Sequence, residues 1–513
     1  MLLLAALAGA FATTGALASA ATPPPGAAIS DSLEYMGRVP DSSMIVEGKF
    51  DTVMGRDVLV TTGRYGFRTY DVRDASRPRL LDTYQPAEIL GKNGYWQDED
   101  MEIDRKRKLI IGALDPRHDD VDQESCPGIG TLGSKNRNPK CRSGFYVISY
   151  KNPGHLEQIG KFNEVPAGHT TSCVDGCKYV WTGGPARRED LNYLGPFTPG
   201  GRGDGRPIWV TDLRNPRKPK TFEQPIDLGR NDGLTDYSHD VNVDAQGFAW
   251  VSGRGGLLGY ATRGKWRDPK IDRVRRAHPW DPVLVAGGGL PGGENGVAQP
   301  GTDFIHNANR PTDGKVRAAG VRKGNVALMT EEDFTGPDCD DAGRIVAADI
   351  TSSLGGEGAT NSRPGSEFRM TALDSFHPAI NAKDTQSPNA GCSAHYFEVS
   401  GSTLAAAWYN QGLRLIDASN ARNLRQVGYY YVNGTDPATN PSSNSWDTAW
   451  RGNLVYLFDM DRGIEILRLK GGPHASAKLA TVREPRRGPD RLAKVPVSGL
   501  TADSLVCPLF QRQ

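Results

Sequence analysis

The chain has 513 residues, with 61 Lys plus Arg against 60 Asp plus Glu and a formal net charge of +1. That balance speaks against a nucleic-acid or polyanion binder, whose footprint is a basic excess. Glycine (61) and proline (35) are abundant, a composition of short strands joined by many turns.

The first residues, MLLLAALAGAFATTGALASA, form an apolar run ending in Ala-Ser-Ala. This is the apolar region and small-residue cleavage site of a signal peptide over 1–21, although no Lys or Arg precedes the run. Residues 22–31, with ATPPPGAA, are expected to be a disordered lead-in. No later stretch supplies the ~20 apolar residues that cross a bilayer. The mature chain is therefore expected to be secreted, without a membrane span.

Residues 32–472 are repetitive. A β-rich stretch ends in Asp or a substitute, a turn follows, and another apolar strand begins. The copies are GFRTYDVRDASRPRLLDTY (66–84), GFYVISYKNPGHLEQIGKF (144–162), PIWVTDLRNPRKPKTFEQP (207–225) and GLRLIDASNARNLRQVGYY (412–430), with shorter forms RIVAADITSS (344–353) and GIEILRLKGG (463–472). These copies resemble the LVIVD repeat family, bacterial proteins taken to form β-propellers, and the resemblance covers most of the mature chain.

The expected fold is all-β, a seven-bladed β-propeller of four-stranded antiparallel blades. Inner strands are expected to start near Lys49, Glu99, His169, His239, His306, His395 and Trp446. A gapless alignment sets Lys49 opposite His395, and a second sets Glu99 opposite His239. The last blade, WDTAWRGNLVYLFDMDRGIEILRL, has only three strands. The N-terminal LEYMGRV matches the outer-strand pattern LRQVGYY and is expected to complete that blade, closing the ring and protecting its edges. Residues 473–513 form a C-terminal extension.

Four histidines occupy one register position in consecutive copies: His169 in GHTTSCVDG, His239 in SHDVNVDAQG, His306 in IHNANRP and His395 in AHYFEVSG. At the start of inner strands, all four would face one channel mouth. Neutral imidazoles on rigid strands make a metal site, with Glu99 as a further ligand or a partner of an imidazole. Imidazoles without thiolate favour copper or iron, or zinc, over magnesium or calcium. The layout is similar to that of carotenoid-cleaving oxygenases, propellers with an axial iron held by four histidines, and to selenium-binding or methanethiol-oxidase propellers with histidine-bound copper. The bland alternative is a set of structural histidines bonded within their own sheets.

Long insertions at 113–142, 183–206 and 331–343, with a Gly-rich extension after Ser252, are expected on the same face as the histidines, where a rigid scaffold varies its loops. Strand ends there supply Glu332, Tyr409 and Arg254 as candidate catalytic residues, with Asp115, Glu331 and Gln411 nearby. Asn307 and Arg310 could orient substrate, Asp240 is expected to point into its blade, and His377 could reach the mouth or cap a loop. Acid-rich loops at 115–122 and 338–343 are candidates for calcium, without the spacing of a calcium loop. The seven cysteines suit an oxidising compartment, with Cys173–Cys177, Cys126–Cys141 and Cys339–Cys392 as possible pairs and Cys507 odd. No Gly-rich phosphate loop and no G-x-S-x-G elbow is present.

These features lead to an exported metalloenzyme, a copper- or iron-dependent oxidoreductase acting on a small organic substrate. The alternatives are a cell-surface or extracellular propeller that binds a protein partner without catalysis, and a zinc-dependent hydrolase or lyase.

Overall fold

The computed structural model describes residues 20–39, 45–86, 99–114, 142–184, 207–226, 228, 238–253, 256–268, 271–288, 305–332, 343–351, 370–378 and 393–482. These residues build a β-propeller of seven blades, each an antiparallel meander. Blade one is Ile45–Val53, Arg56–Gly63, Gly66–Asp71 and Arg79–Tyr84, and blade two is Glu102–Asp104, Leu109–Leu114, Gly144–Asn152 and His155–Gln158. Blade three is Thr170–Val174, Tyr179–Gly183, Trp209–Asp212 and Lys220–Thr221. Blade four is Val241–Val243, Phe248–Gly253, Gly256–Ala261 and Val283–Gly288, and blade five is Ile305–Asn309, Val326–Glu331, Ile345–Asp349 and Thr371–Phe376. Blade six is Ala394–Ser400, Thr403–Trp408, Gly412–Asp417 and Arg425–Val432.

Blade seven takes Ser445–Arg451, Leu454–Asp459 and Gly463–Leu469 from the C-terminal end and Leu33–Val39 from the N-terminal end. Leu33 pairs with Leu469 and Val39 with Ile464, so LEYMGRV closes the ring as its pattern suggested. Beside this seam Tyr35 stacks on Tyr430, whose hydroxyl donates to Glu465 at 2.9 Å, and Arg462 pairs with Glu465 at 2.9 Å. Part of the segment expected as a disordered lead-in is ordered: Ala27–Ile29 adds a fifth strand to blade six by pairing with Tyr430–Val432.

Each sheet is sandwiched between its neighbours, which is why its middle strands are apolar on both faces. Val58, Val60 and Phe67 of blade one pack with Ile110, Tyr146 and Ile148 of blade two. Trp181 and Val210 of blade three pack with Val251 and Tyr260 of blade four. Fully burying such a side chain contributes about 1.5–3 kcal/mol.

The aspartate that ends the repeat motif has a local job. Asp71, Asp212, Asp349 and Asp417 end third strands, and each accepts the backbone N–H two residues on, from Arg73, Arg214, Thr351 and Ser419 at 2.8–3.1 Å. This Asx turn starts the link to the outer strand and explains the recurring Asp.

The connections differ in part from expectation. The insertions at 115–141, 185–206 and 333–342, and with them the acidic calcium-candidate loops, lie outside the described residues. After Ser252 there is no long extension, because Gly253 pairs directly with Gly256. The extra piece of blade four is a hairpin, Lys265–Asp268 with Arg273–Arg276, placed before its outer strand. Cys173 and Cys177 form a disulfide, while Cys126, Cys141, Cys339, Cys392 and Cys507 lie outside the described residues, as does the apolar leader over 1–19. Of the C-terminal extension, a 3-10 helix, Pro473–Lys478, packs on blade six, where Ser476 donates to Asp417 at 3.0 Å.

Candidate metal centre

The histidines owe their convergence to the entry of each inner strand. In blade five Ile305 pairs with Glu331 and Asn307 with Thr330, so His306 is the extra residue of a bulge. The same irregularity spans His395 in blade six, Trp446 in blade seven and Val46 in blade one. His169 and His239 lie just ahead of Thr170–Val174 and Val241–Val243. A bulge bends its strand and re-aims the side chain it carries. Here it lets both the bulged residue and the one after it face the channel.

His169, His306, His395 and Glu99 are fully buried, and His239 is nearly so. Successive rings lie 4.6, 4.3 and 3.9 Å apart from His169 through His239 and His306 to His395. The Glu99 carboxylate reaches into this arc. Its Oε2 is 2.8 Å from His169 Nε2, 3.3 Å from His239 Nε2 and 3.4 Å from His306 Nε2, and its Oε1 is 3.9 Å from His395 Nε2. The other donors that could hold a cation include Glu332, whose Oε2 lies 3.6 Å from His306 Nε2.

Proton positions follow from the partners. His239 Nδ1 contacts the His306 carbonyl oxygen at 3.1 Å, and His395 Nδ1 contacts the Trp446 carbonyl oxygen at 2.6 Å. A carbonyl only accepts, so both Nδ1 atoms carry hydrogen and both neutral rings aim an Nε2 lone pair inward. Burial pushes His395 down to about 4 and holds His239 and His306 below the usual imidazole range. Burial would raise Glu99, but the charge of His169 and the hydrogen bonds of the neighbouring imidazoles hold it well below the usual carboxylate range. The result is an anionic carboxylate held by His169 and faced by three imidazoles, His239, His306 and His395, that burial keeps neutral.

Several residues stand elsewhere than the sequence suggested. Val46, not Lys49, occupies the ring position of blade one. That blade extends its first hairpin further before turning at Met54 and Gly55, which a gapless alignment cannot register. Lys49 lies deeper, 2.8 Å from Asp100, 2.9 Å from Glu47 and 3.5 Å from Glu102. Asp240 does not point into its blade. Its carboxyl meets that of Asp100, and burial and this neighbour raise it well above the ordinary value.

Trp446 stands beside the histidine arc, its ring 4.5 Å from that of His395. Tyr409 donates to Glu332, and its ring lies 5.0 Å from that of His395. Arg310 is committed to a buried pair with Asp244 at 2.8 Å and to the Gly324 carbonyl, which removes it from any substrate. Asn307 is bonded to Thr330, and His377 contacts the Pro378 carbonyl beside it. Glu331 pairs with Arg344 at 2.8 Å, and Gln411 accepts from Arg414 at 3.1 Å. Arg254 and Asp115 lie outside the described residues.

Sequence reasoning missed Glu47, Asp100, Tyr396 and Asp447, which follow ring positions as Asp240 does. The available signal was their place immediately after the ring residues, discounted because strict alternation turns neighbours to opposite faces.

No family model matches the chain, and no curated protein matches it. Among solved structures, the Cps50 (Swd1) β-propeller domain of Myceliophteria thermophila is 11% identical with a TM-score of 0.43, covering 84% of this chain and 97% of that one. The periplasmic gluconolactonase PpgL of Pseudomonas aeruginosa is 13% identical with a TM-score of 0.43, covering 82% and 90%. A Lactobacillus plantarum protein is 11% identical with a TM-score of 0.43, covering 85% and 94%. Such likeness extends to layout alone, and no family-model match supports the LVIVD repeat family. Among the described residues no helix is long and apolar enough to cross a membrane.

Proposed function

We propose that the protein is an exported metalloenzyme, a copper- or iron-dependent oxidoreductase acting on a small organic substrate. His169, His239, His306 and His395 would hold the metal, with Glu99 as the anionic ligand. One observation carries this reading: His239 and His395 each spend Nδ1–H on a backbone carbonyl, which fixes the Nε2 lone pair toward the Glu99 carboxylate. Acceptor facing acceptor in a dry site is costly unless a cation lies between. A carbonyl behind a ligating imidazole is the usual support of a metal site.

A bound copper or iron would supply one-electron chemistry that no side chain here offers. The chain's own residues would orient and exclude. Trp446 and Tyr396 wall the site with aromatic rings, at 4.5 Å and 4.9 Å from His395. Glu332, steadied by the Tyr409 hydroxyl at Oε1, would take or give a proton at Oε2 or lend that oxygen to the metal. Export is supported by the apolar leader and by the Cys173–Cys177 disulfide, which suits an oxidising compartment.

The test is metal analysis of protein purified without an affinity tag. Stoichiometric copper or iron, lost in the His239→Ala/His395→Ala variant, is the expected result. No stoichiometric metal, or unchanged content in that variant, overturns the reading. Zinc alone replaces it with a hydrolase or lyase.

A further inference from the structure

Resting on the metal-centre reading above, we propose that the centre is dinuclear: Glu99 bridges one ion held by His169 and His239 and a second held by His306, His395 and Glu332. The donors divide that way. Glu99 forms one close triad with His169 and His239 and another with His306 and His395, and Glu332 joins His306 in a third that also takes in His239, the imidazole at the boundary between the halves. Glu99 Oε2 reaches both halves, 2.8 Å from His169 and 3.4 Å from His306, and Glu99 Oε1 faces His395 at 3.9 Å.

The two halves differ in what they lack. His169 Nε2 and His239 Nε2 lie 3.0 Å apart and both approach Glu99 Oε2, so a single hydrogen serves that half. In the other half, His306 Nδ1, His306 Nε2 and His395 Nε2 are fully buried and have no hydrogen-bond partner among the described residues. An ion confined to the first half would leave these nitrogens dry and unbonded, a cost that native interiors avoid. His306 Nε2 stands between two carboxylates, 3.4 Å from Glu99 and 3.6 Å from Glu332, a position suited to sharing a cation with them.

Ligand number agrees. Four imidazoles and two carboxylates would saturate one six-coordinate ion and leave no position for substrate. Shared between two ions about 3.5–4 Å apart under a bridging carboxylate, they leave open positions on both. Glu47 and Asp100 are already matched by the Lys49 ammonium at 2.9 and 2.8 Å, so neither competes with the six donors for a cation.

The test uses the full, tag-free chain stripped with EDTA and titrated with Zn2+, with bound metal counted by mass spectrometry after desalting. Two ions per chain are expected in the wild type, and one in each of Glu332→Gln and His169→Ala. Manganese-loaded wild type, which needs no substitution, is expected to show a spin-coupled electron paramagnetic resonance spectrum. One ion at saturation, or an uncoupled spectrum at full loading, overturns the dinuclear assignment and leaves the metal centre standing. No bound ion overturns both. Two ions in Glu332→Gln overturn the division of ligands between the two halves.

Discussion

The Nδ1 of His395 donates to the carbonyl oxygen of Trp446 at 2.6 Å, and the two rings lie 4.5 Å apart. The backbone of blade seven thus sets the tautomer of a histidine in blade six, while the indole fixes its plane. The carbonyl survives any substitution but the indole does not. Trp446→Ala is expected to cost about 3–5 kcal/mol, as for other buried aromatics. It should also weaken metal binding by about 10–100-fold through the loosened imidazole. Trp446→Phe should retain most of both. Denaturant melts and competition against a chelator read the two effects separately.

Gly184 makes a sharper probe of the ring. It has φ of +80°, and a Cβ there would stand 2.2 Å from His169 Cβ. Its N–H also donates to Ser238 Oγ, one residue before His239. Gly184→Ala is therefore expected to displace His169 while most of the propeller stays folded. Metal affinity should fall at least tenfold, as for loss of ligand support. An unchanged affinity, measured by the same chelator competition, would mean that His169 is not held as described.

Ring closure depends on a buried charge pair. Arg462 and Glu465 are both fully buried at 2.9 Å, with Tyr430 donating to the same carboxylate. Glu465→Ala leaves a guanidinium without its counter-ion and should cost about 3–5 kcal/mol. Replacing both, as Arg462→Met with Glu465→Leu, should recover part of that loss, because apolar packing can substitute for a buried pair but not for half of one. Thermal melts of the single and double variants decide this.

Much of the architecture was readable in the residues because propeller blades repeat. The Asp-ended motif has a local cause in the Asx turn, and LEYMGRV matches its outer-strand counterpart, so both could be seen without coordinates. The four histidines were readable for the same reason. What failed was register within one hairpin: Lys49 was aligned through a blade whose first two strands are longer, and only pairing reveals Val46 in its place. Asp240 failed because His239 and Asp240 both bond to Ser252, His239 through its N–H and Asp240 through its carbonyl, ahead of the regular strand, and two residues against one suspend the alternation. Neither error has a composition signal, since both arise from backbone pairing inside a hairpin.

The repeat aspartates give an acid limb that is independent of the metal. Arg73 hydrogen bonds hold Asp71 well below its ordinary range, outweighing the burial that would raise it. Arg214 does the same for Asp212, against the same opposition from burial. In the unfolded chain both return to the model-peptide value near ~4. A carboxyl with a depressed folded value binds fewer protons folded than unfolded in that interval. Its stabilisation is present above about pH 4 and is lost as pH falls toward the folded value. The partners are exposed, with Arg73 58% and Arg214 64% accessible, so solvent screening keeps the charge component small. About 1 kcal/mol or less per pair is the expected scale. Asp71→Asn with Asp212→Asn keeps the Asx turn but removes the charge. The double variant should be slightly less stable than wild type at pH 7, and the gap should narrow as pH falls from about 4 toward 2. Urea melts of metal-free protein across that range check the result, and a constant difference between the two chains would assign the loss to the turn and not to the ion pairs.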